Sequence, residues 1–79
     1  MTEYKLELLV KEPMGYPGLQ ARLESGVMDN PRFALAVYMQ LDLNLRQIYF
    51  EKEKYNLIIY RDGQVISQEE LTSDFKKQL

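Results

Sequence analysis

Residues 30–55, NPRFALAVYMQLDLNLRQIYFEKEKY, lie within the longest stretch of the chain without Gly, and the fold depends on what this segment becomes. Asp29 and Asn30 are both good helix caps. Pro31 at the first helical position gives up no hydrogen bond, because that N–H has no partner inside a helix. At 100° per residue, Ala34, Val37, Tyr38, Leu41, Leu45, Ile48, Tyr49 and Tyr55 fall on one stripe about 120° wide, which reads as a core-facing side. Gln40, Asn44, Gln47, Glu51 and Lys54 fill one flank, and Asp42, Arg46 and Glu53 the other. The expectation is one long helix. It carries a surplus, since Leu35, Ala36, Met39, Leu43 and Phe50 gather on the side away from that stripe.

The alternative for the same residues is extended chain. Leu41, Leu43 and Leu45 alternate with Asp42 and Asn44, and the charges at 51–54 would suit a turn between strands. That reading gives a mostly β meander with a C-terminal helix.

The flanking segments are easier to read. Residues 2–11 alternate, with Tyr4, Leu6, Leu8 and Val10 on one face and Glu3, Lys5, Glu7 and Lys11 on the other, the pattern of a half-buried strand with one polar face. The opening MTEYKL is similar to the start of Ras-type small GTPases, whose first strand runs into a phosphate-binding loop. The following residues, ELLVKEPMGYPG, contain no G-x-x-x-x-G-K-[ST], so the likeness ends at residue six and implies no nucleotide site. Pro13, Gly15, Pro17 and Gly18 instead make 12–18 a turn-rich loop. Residues 19–25 are expected as a short helix, with Leu19 and Leu23 one turn apart and Gly26 ending it. Residues 56–67 read as a hairpin on an Asp62-Gly63 turn. Ser67 then caps a last amphipathic helix, with Glu70 at capping-box spacing and Leu71, Phe75 and Leu79 on one face.

The elements sum to a single α+β domain over 1–79: a small three-stranded mixed sheet, with one long helix and one or two short ones packed largely on one face. A chain of 79 residues buries only about 60 % of its unfolded surface, so its stability rests on good packing or association. There is no Cys, hence no disulfide, and a reducing, cytoplasmic setting is expected. Neither a secretory signal nor an apolar run of about 20 residues is visible, so no membrane partner is expected.

The same composition narrows the chemistry. Without His or Cys the usual neutral-pH proton shuttle, thiolate nucleophile and transition-metal ligands are lacking. The carboxylate pairs Glu3 with Glu7 and Glu51 with Glu53 lie among cations and read as solvated faces. No enzyme activity, cofactor or metal is expected. A net charge of −2 with signs interspersed gives no phosphate-tracking surface, so nucleic-acid binding by Lys52, Lys54, Tyr55, Tyr60 and Arg61 ranks as a minor alternative. What remains is a non-enzymatic protein-interaction module with a protein partner of unknown identity. An inhibitor or adaptor of the kind mobile elements encode fits, and so does an assembly subunit or homodimer. Leu35, Met39, Leu43 and Phe50 are its expected partner-binding anchors, helped by Met14 and Tyr16 in the loop.

Overall fold

A computed structural model describes residues 2–49 and 54–78. The chain runs β1 (Tyr4–Lys11), β2 (Gln20–Glu24), α1 (Pro31–Ile48), β3 (Tyr55–Arg61), β4 (Gln64–Ile66) and α2 (Gln68–Lys76). The fold is α+β, with four strands in the order β2-β1-β3-β4. Every neighbouring pair is antiparallel, where a three-stranded mixed sheet was expected. The difference traces to residues 19–25, where Gln20–Glu24 form an edge strand in place of the expected short helix. Leu19 and Leu23 are four apart, a spacing shared by one helical turn and two strand periods. Ala21 between them supplies the alternation, and the loop before them folds the segment back onto β1. The crossover then joins β2 to β3, both antiparallel to β1, so β1 itself gains no parallel neighbour.

The long helix also stops sooner than its periodicity suggests. Asn30 caps it as expected, its Oδ1 accepting from Arg32 N–H at 2.8 Å, and Pro31 takes the first position. The helix closes at Ile48, Tyr49 is extended, and Tyr55 already lies in β3, so 30–55 is neither one helix nor a pair of strands. The Asp62-Gly63 turn has φ of 50° and 83°, the left-handed pair that a tight two-residue hairpin requires. Asp62 is also tied to the start of β1, its N–H donating to Glu3 O and its Oδ1 accepting from Glu3 N–H, each at 2.8 Å. Ser67 caps α2 through Glu70 N–H at 3.1 Å. The Glu70 carboxylate does not complete the box; it reaches Arg61 at 3.1 Å instead.

Alternation decides which side of the sheet is covered. Tyr4, Leu6, Ile59 and Ile66 share one side and form the core with Ala34 of α1 and Leu71 of α2. Met28, Leu35, Val37, Tyr38 and Leu41 pack around it. Both helices therefore lie on this side. The other side carries Glu7, Leu9, Arg22, Ile58 and Tyr60, and among the described residues no helix lies over it.

Docking of α2 has a polar component. Tyr4 O–H and Arg61 Nη1 both donate to Asp74 Oδ2 at 2.8 Å. Burial pushes the Asp74 carboxyl up, but the hydrogen bonds from Arg61 and Tyr4, together with the Arg61 charge, outweigh it and leave the group below its ordinary value. Burial and the Asp74 carboxylate push Tyr4 the other way, from 10 to about 12.

Three consequences can be measured. Leu71 is fully buried, and Leu71→Ala is expected to cost about 3 kcal/mol in urea unfolding. Leu43 is 53 % exposed, and Leu43→Ala should stay within about 0.5 kcal/mol of the parent. Asp74 has a folded pKa below its unfolded one, so its stabilisation is complete above the unfolded value near 3.8 and is lost as pH falls through the depressed folded value. Asp74→Asn should therefore destabilise the fold at neutral pH by about 2 kcal/mol and flatten the fall in stability below about pH 4. Tyr4 has the opposite sign, its contribution complete below pH 10 and lost as pH rises through about 12.

Candidate protein-interaction surface

The loop joining β1 to β2 is built to project. Glu12 and Met14 have φ of 50° and 55°, and Gly15 and Gly18 add two more left-handed positions. Glu12 N–H donates to Leu19 O at 2.7 Å and Gly15 N–H to Glu12 O at 3.0 Å, so the base is closed and the tip turned outward. Lys54, just before β3, holds the Glu12 carboxylate at 2.6 Å and keeps its pKa below the ordinary value. Met14 at the tip is 92 % exposed, and Tyr16 is exposed beside it. A left-handed conformation is unfavourable by about 1–2 kcal/mol for a residue with a Cβ. At 92 % exposure, burial does not compensate for it at Met14.

Strand β2 continues this surface. Leu19, Ala21 and Leu23 point to the helix side and Gln20, Arg22 and Glu24 to the open side, yet no helix reaches far enough to cover Leu23, which is 62 % exposed. Among the described residues, Met14, Tyr16, Leu19, Leu23 and Val27 are half of the ten exposed large hydrophobics, and all fall between residues 14 and 27. Scattered exposed apolar residues are ordinary, but this concentration along one sheet edge is not.

The edge is also open in its main chain. Ser25 N–H bonds Leu6 O and Glu12 N–H bonds Leu19 O, so the odd-numbered residues 19–25 turn their amide and carbonyl groups inward to β1. By alternation Gln20, Arg22 and Glu24 turn theirs outward, where no described strand meets them. The five pairs from Glu7↔Glu24 to Lys11↔Gln20 run without a bulge, so nothing twists the edge away. Only past Ser25 does the pairing shift by one residue, to Tyr4↔Met28.

Beneath this edge, on the open side, lies a shallow depression of about 380 Å³ lined by Lys5, Glu7, Arg22, Glu24 and Tyr60 among others. Glu7 is only 5 % exposed. Arg22 covers it, donating from Nε at 2.8 Å and from Nη2, while Tyr60 O–H donates at 3.3 Å. Arg22 Nη2 also reaches Glu24 at 2.9 Å, and Lys5 meets the other Glu24 oxygen at 3.3 Å. The Glu7 carboxylate holds Arg22 firmly protonated. Two carboxylates and two cations thus form a closed, charge-balanced set, a structural clasp between β1 and β2.

The expected anchors are dispersed. Leu35 belongs to the packing around the core, so it is not on the outer side of α1. Met39 and Leu43 are exposed on that side, Met39 taking a hydrogen bond from Gln68 Nε2 at 3.3 Å. Phe50 lies outside the described residues, as do Lys52 and the Glu51, Glu53 pair. Met14 and Tyr16 sit on the loop, apart from α1. The residues weighed for nucleic acid are engaged by carboxylates: Lys54 by Glu12, Tyr60 by Glu7, Arg61 by Asp74 and Glu70, and Tyr55 O–H by Asp42 at 3.4 Å. Leu19 and Leu23 were missed as surface residues. Their signal was the alternation through Ala21 directly after a Pro- and Gly-rich loop.

If Met14 is retained for what it displays and not for the fold, Met14→Gly should leave the midpoint of urea unfolding unchanged or raise the stability by up to about 1 kcal/mol, as relief of the left-handed strain offsets the added freedom of the unfolded chain. No family model matches the chain, and neither a curated protein nor a solved structure matches it.

Proposed function

We propose that this is a protein-interaction module whose working surface is the β2 edge together with the Met14–Tyr16 loop tip, and that it acts by adding a strand of a protein partner to its sheet. The observation that carries this reading is the coincidence, on one five-residue strand, of outward-facing main-chain groups at Gln20, Arg22 and Glu24 with the exposed side chain of Leu23. Strand addition uses these two features together, main-chain hydrogen bonds for affinity and alternate side chains for specificity. Met14 and Tyr16 lie at one end of that edge and extend the apolar contact, in keeping with the enrichment of Met and aromatic residues in interface cores.

Occlusion or bridging of a partner, as in a small inhibitor or adaptor, is the activity such a surface serves. Met39 and Leu43 on α1 form a second exposed apolar pair, but they bring no unpaired main chain. The test is affinity capture from the native host with the wild type, Leu23→Lys and Leu43→Lys as baits, each checked for folding by circular dichroism. The expected outcome is a protein recovered by the wild type and by Leu43→Lys, and reduced at least about tenfold with Leu23→Lys. Equal recovery by all three would move the surface off β2.

A further inference from the structure

We infer that the strand received by the β2 edge is β2 of a second copy of this chain, paired antiparallel about a two-fold axis at Leu23. The inference rests on the edge-strand reading above and adds the identity and register of the occupant. Because only Gln20, Arg22 and Glu24 turn hydrogen-bonding groups outward, two copies can form a ladder only in registers that place these residues opposite one another. Few such registers exist, and charge separates them. An axis at Arg22 sets Arg22 against itself, and one at Glu24 sets two carboxylates together, each a destabilising like-charge pair. An axis at Ala21 opposes Gln20 to Arg22 and gains nothing.

With the axis at Leu23, Arg22 of each copy lies directly opposite Glu24 of the other, in hydrogen-bonded pairs. The charged set of Lys5, Glu7, Arg22 and Glu24, neutral within one copy, then continues across the axis without excess of either sign. On the helix side Leu23 meets its own counterpart at a non-hydrogen-bonded position, where side chains approach most closely. Strand β2 ends at Glu24 and the pairing shifts by one residue past Ser25, so in this register the ladder is confined to Arg22, Leu23 and Glu24 of each copy. A two-fold axis perpendicular to the sheet keeps both helix layers on one side. The exposure of Leu23 shows that α1 and α2 leave that side of β2 clear for the approach.

The experiment is light scattering on the purified full chain over a wide concentration range, for the wild type, Glu24→Arg and the double variant Arg22→Glu/Glu24→Arg, with circular dichroism to confirm folding. The wild type is expected to reach twice the monomer mass. Glu24→Arg, which places like charges in both cross-axis pairs, should weaken the dimer at least about tenfold. The double variant should restore it, since the exchanged charges again face one another and Glu7 still has a cation directly opposite at position 24. The chain has no Cys, so Leu23→Cys provides a second readout: a disulfide-linked dimer in an oxidising glutathione buffer, absent for Leu43→Cys under the same conditions. A wild type that stays monomeric at the highest concentration overturns the inference, as does a dimer indifferent to Glu24→Arg or one not rescued by the exchange. A monomeric wild type whose Leu23→Lys form loses a host protein would reject the second copy while retaining the edge as a binding surface.

Discussion

A single apolar row runs across three strands, with Leu6 opposite Ile59 and Ile59 opposite Ile66, and the remainder of the molecule is arranged around it. Ala34 and Leu71 close the row from above, one from each helix. Each of these side chains is buried only because the strand register is correct, since a slip by one residue would turn Leu6 and Ile59 to the open side and bring Lys5 and Tyr60 in. The register is fixed at both ends. The Asp62-Gly63 turn and its two hydrogen bonds to Glu3 hold one end, and the Lys54–Glu12 pair holds the other.

This economy leaves the sheet unevenly covered. Helix α2 secures the end at Tyr4 and Arg61 through Asp74, where apolar burial and a shared carboxylate act on the same few residues. Strand β2 receives no such cover and is held by its ladder to β1 and by the Glu7–Arg22 clasp. A chain of this size has two helices to distribute over four strands, and the edge they leave open is also the one carrying the loop with Met14. The structural economy and the proposed interaction surface are therefore two aspects of one arrangement.

Much of this was legible in the residues, for identifiable reasons. Turn chemistry is local, so Asp62-Gly63, the Asn30-Pro31 start and the Ser67 cap could be read directly. The strand at residues 4–11 was legible because its alternation is long. Residues 19–25 were misread because an i, i+4 pair satisfies both periods, and the deciding fact, an antiparallel partner already formed by β1, is tertiary. The end of α1 was hidden for a related reason: Tyr49 and Tyr55 fit the helical stripe by angle, but β3 claims Tyr55 for pairing with Val10. The surface anchors were the least legible, because helical angle alone could not tell that Leu35 would tuck beside the core while Leu43 stayed outside it.

The pairing of β1 with β3 also bears on the order in which the chain assembles. Each hairpin closes over a short turn or loop, whereas joining β1 to β3 closes a loop that contains β2 and the whole of α1. Loop-closure entropy must be overcome before those long-range contacts give any return, so non-local pairing is the slow part of such a topology. During that interval the β1–β2 hairpin exists without its final neighbour, and β1 and β2 each present an unsatisfied edge. Only the β1 edge is later consumed by the fold. The β1–β2 hairpin thus offers two competing templates for a stray strand, and the speed with which β3 reaches β1 sets how long the strand meant for the interior stays open.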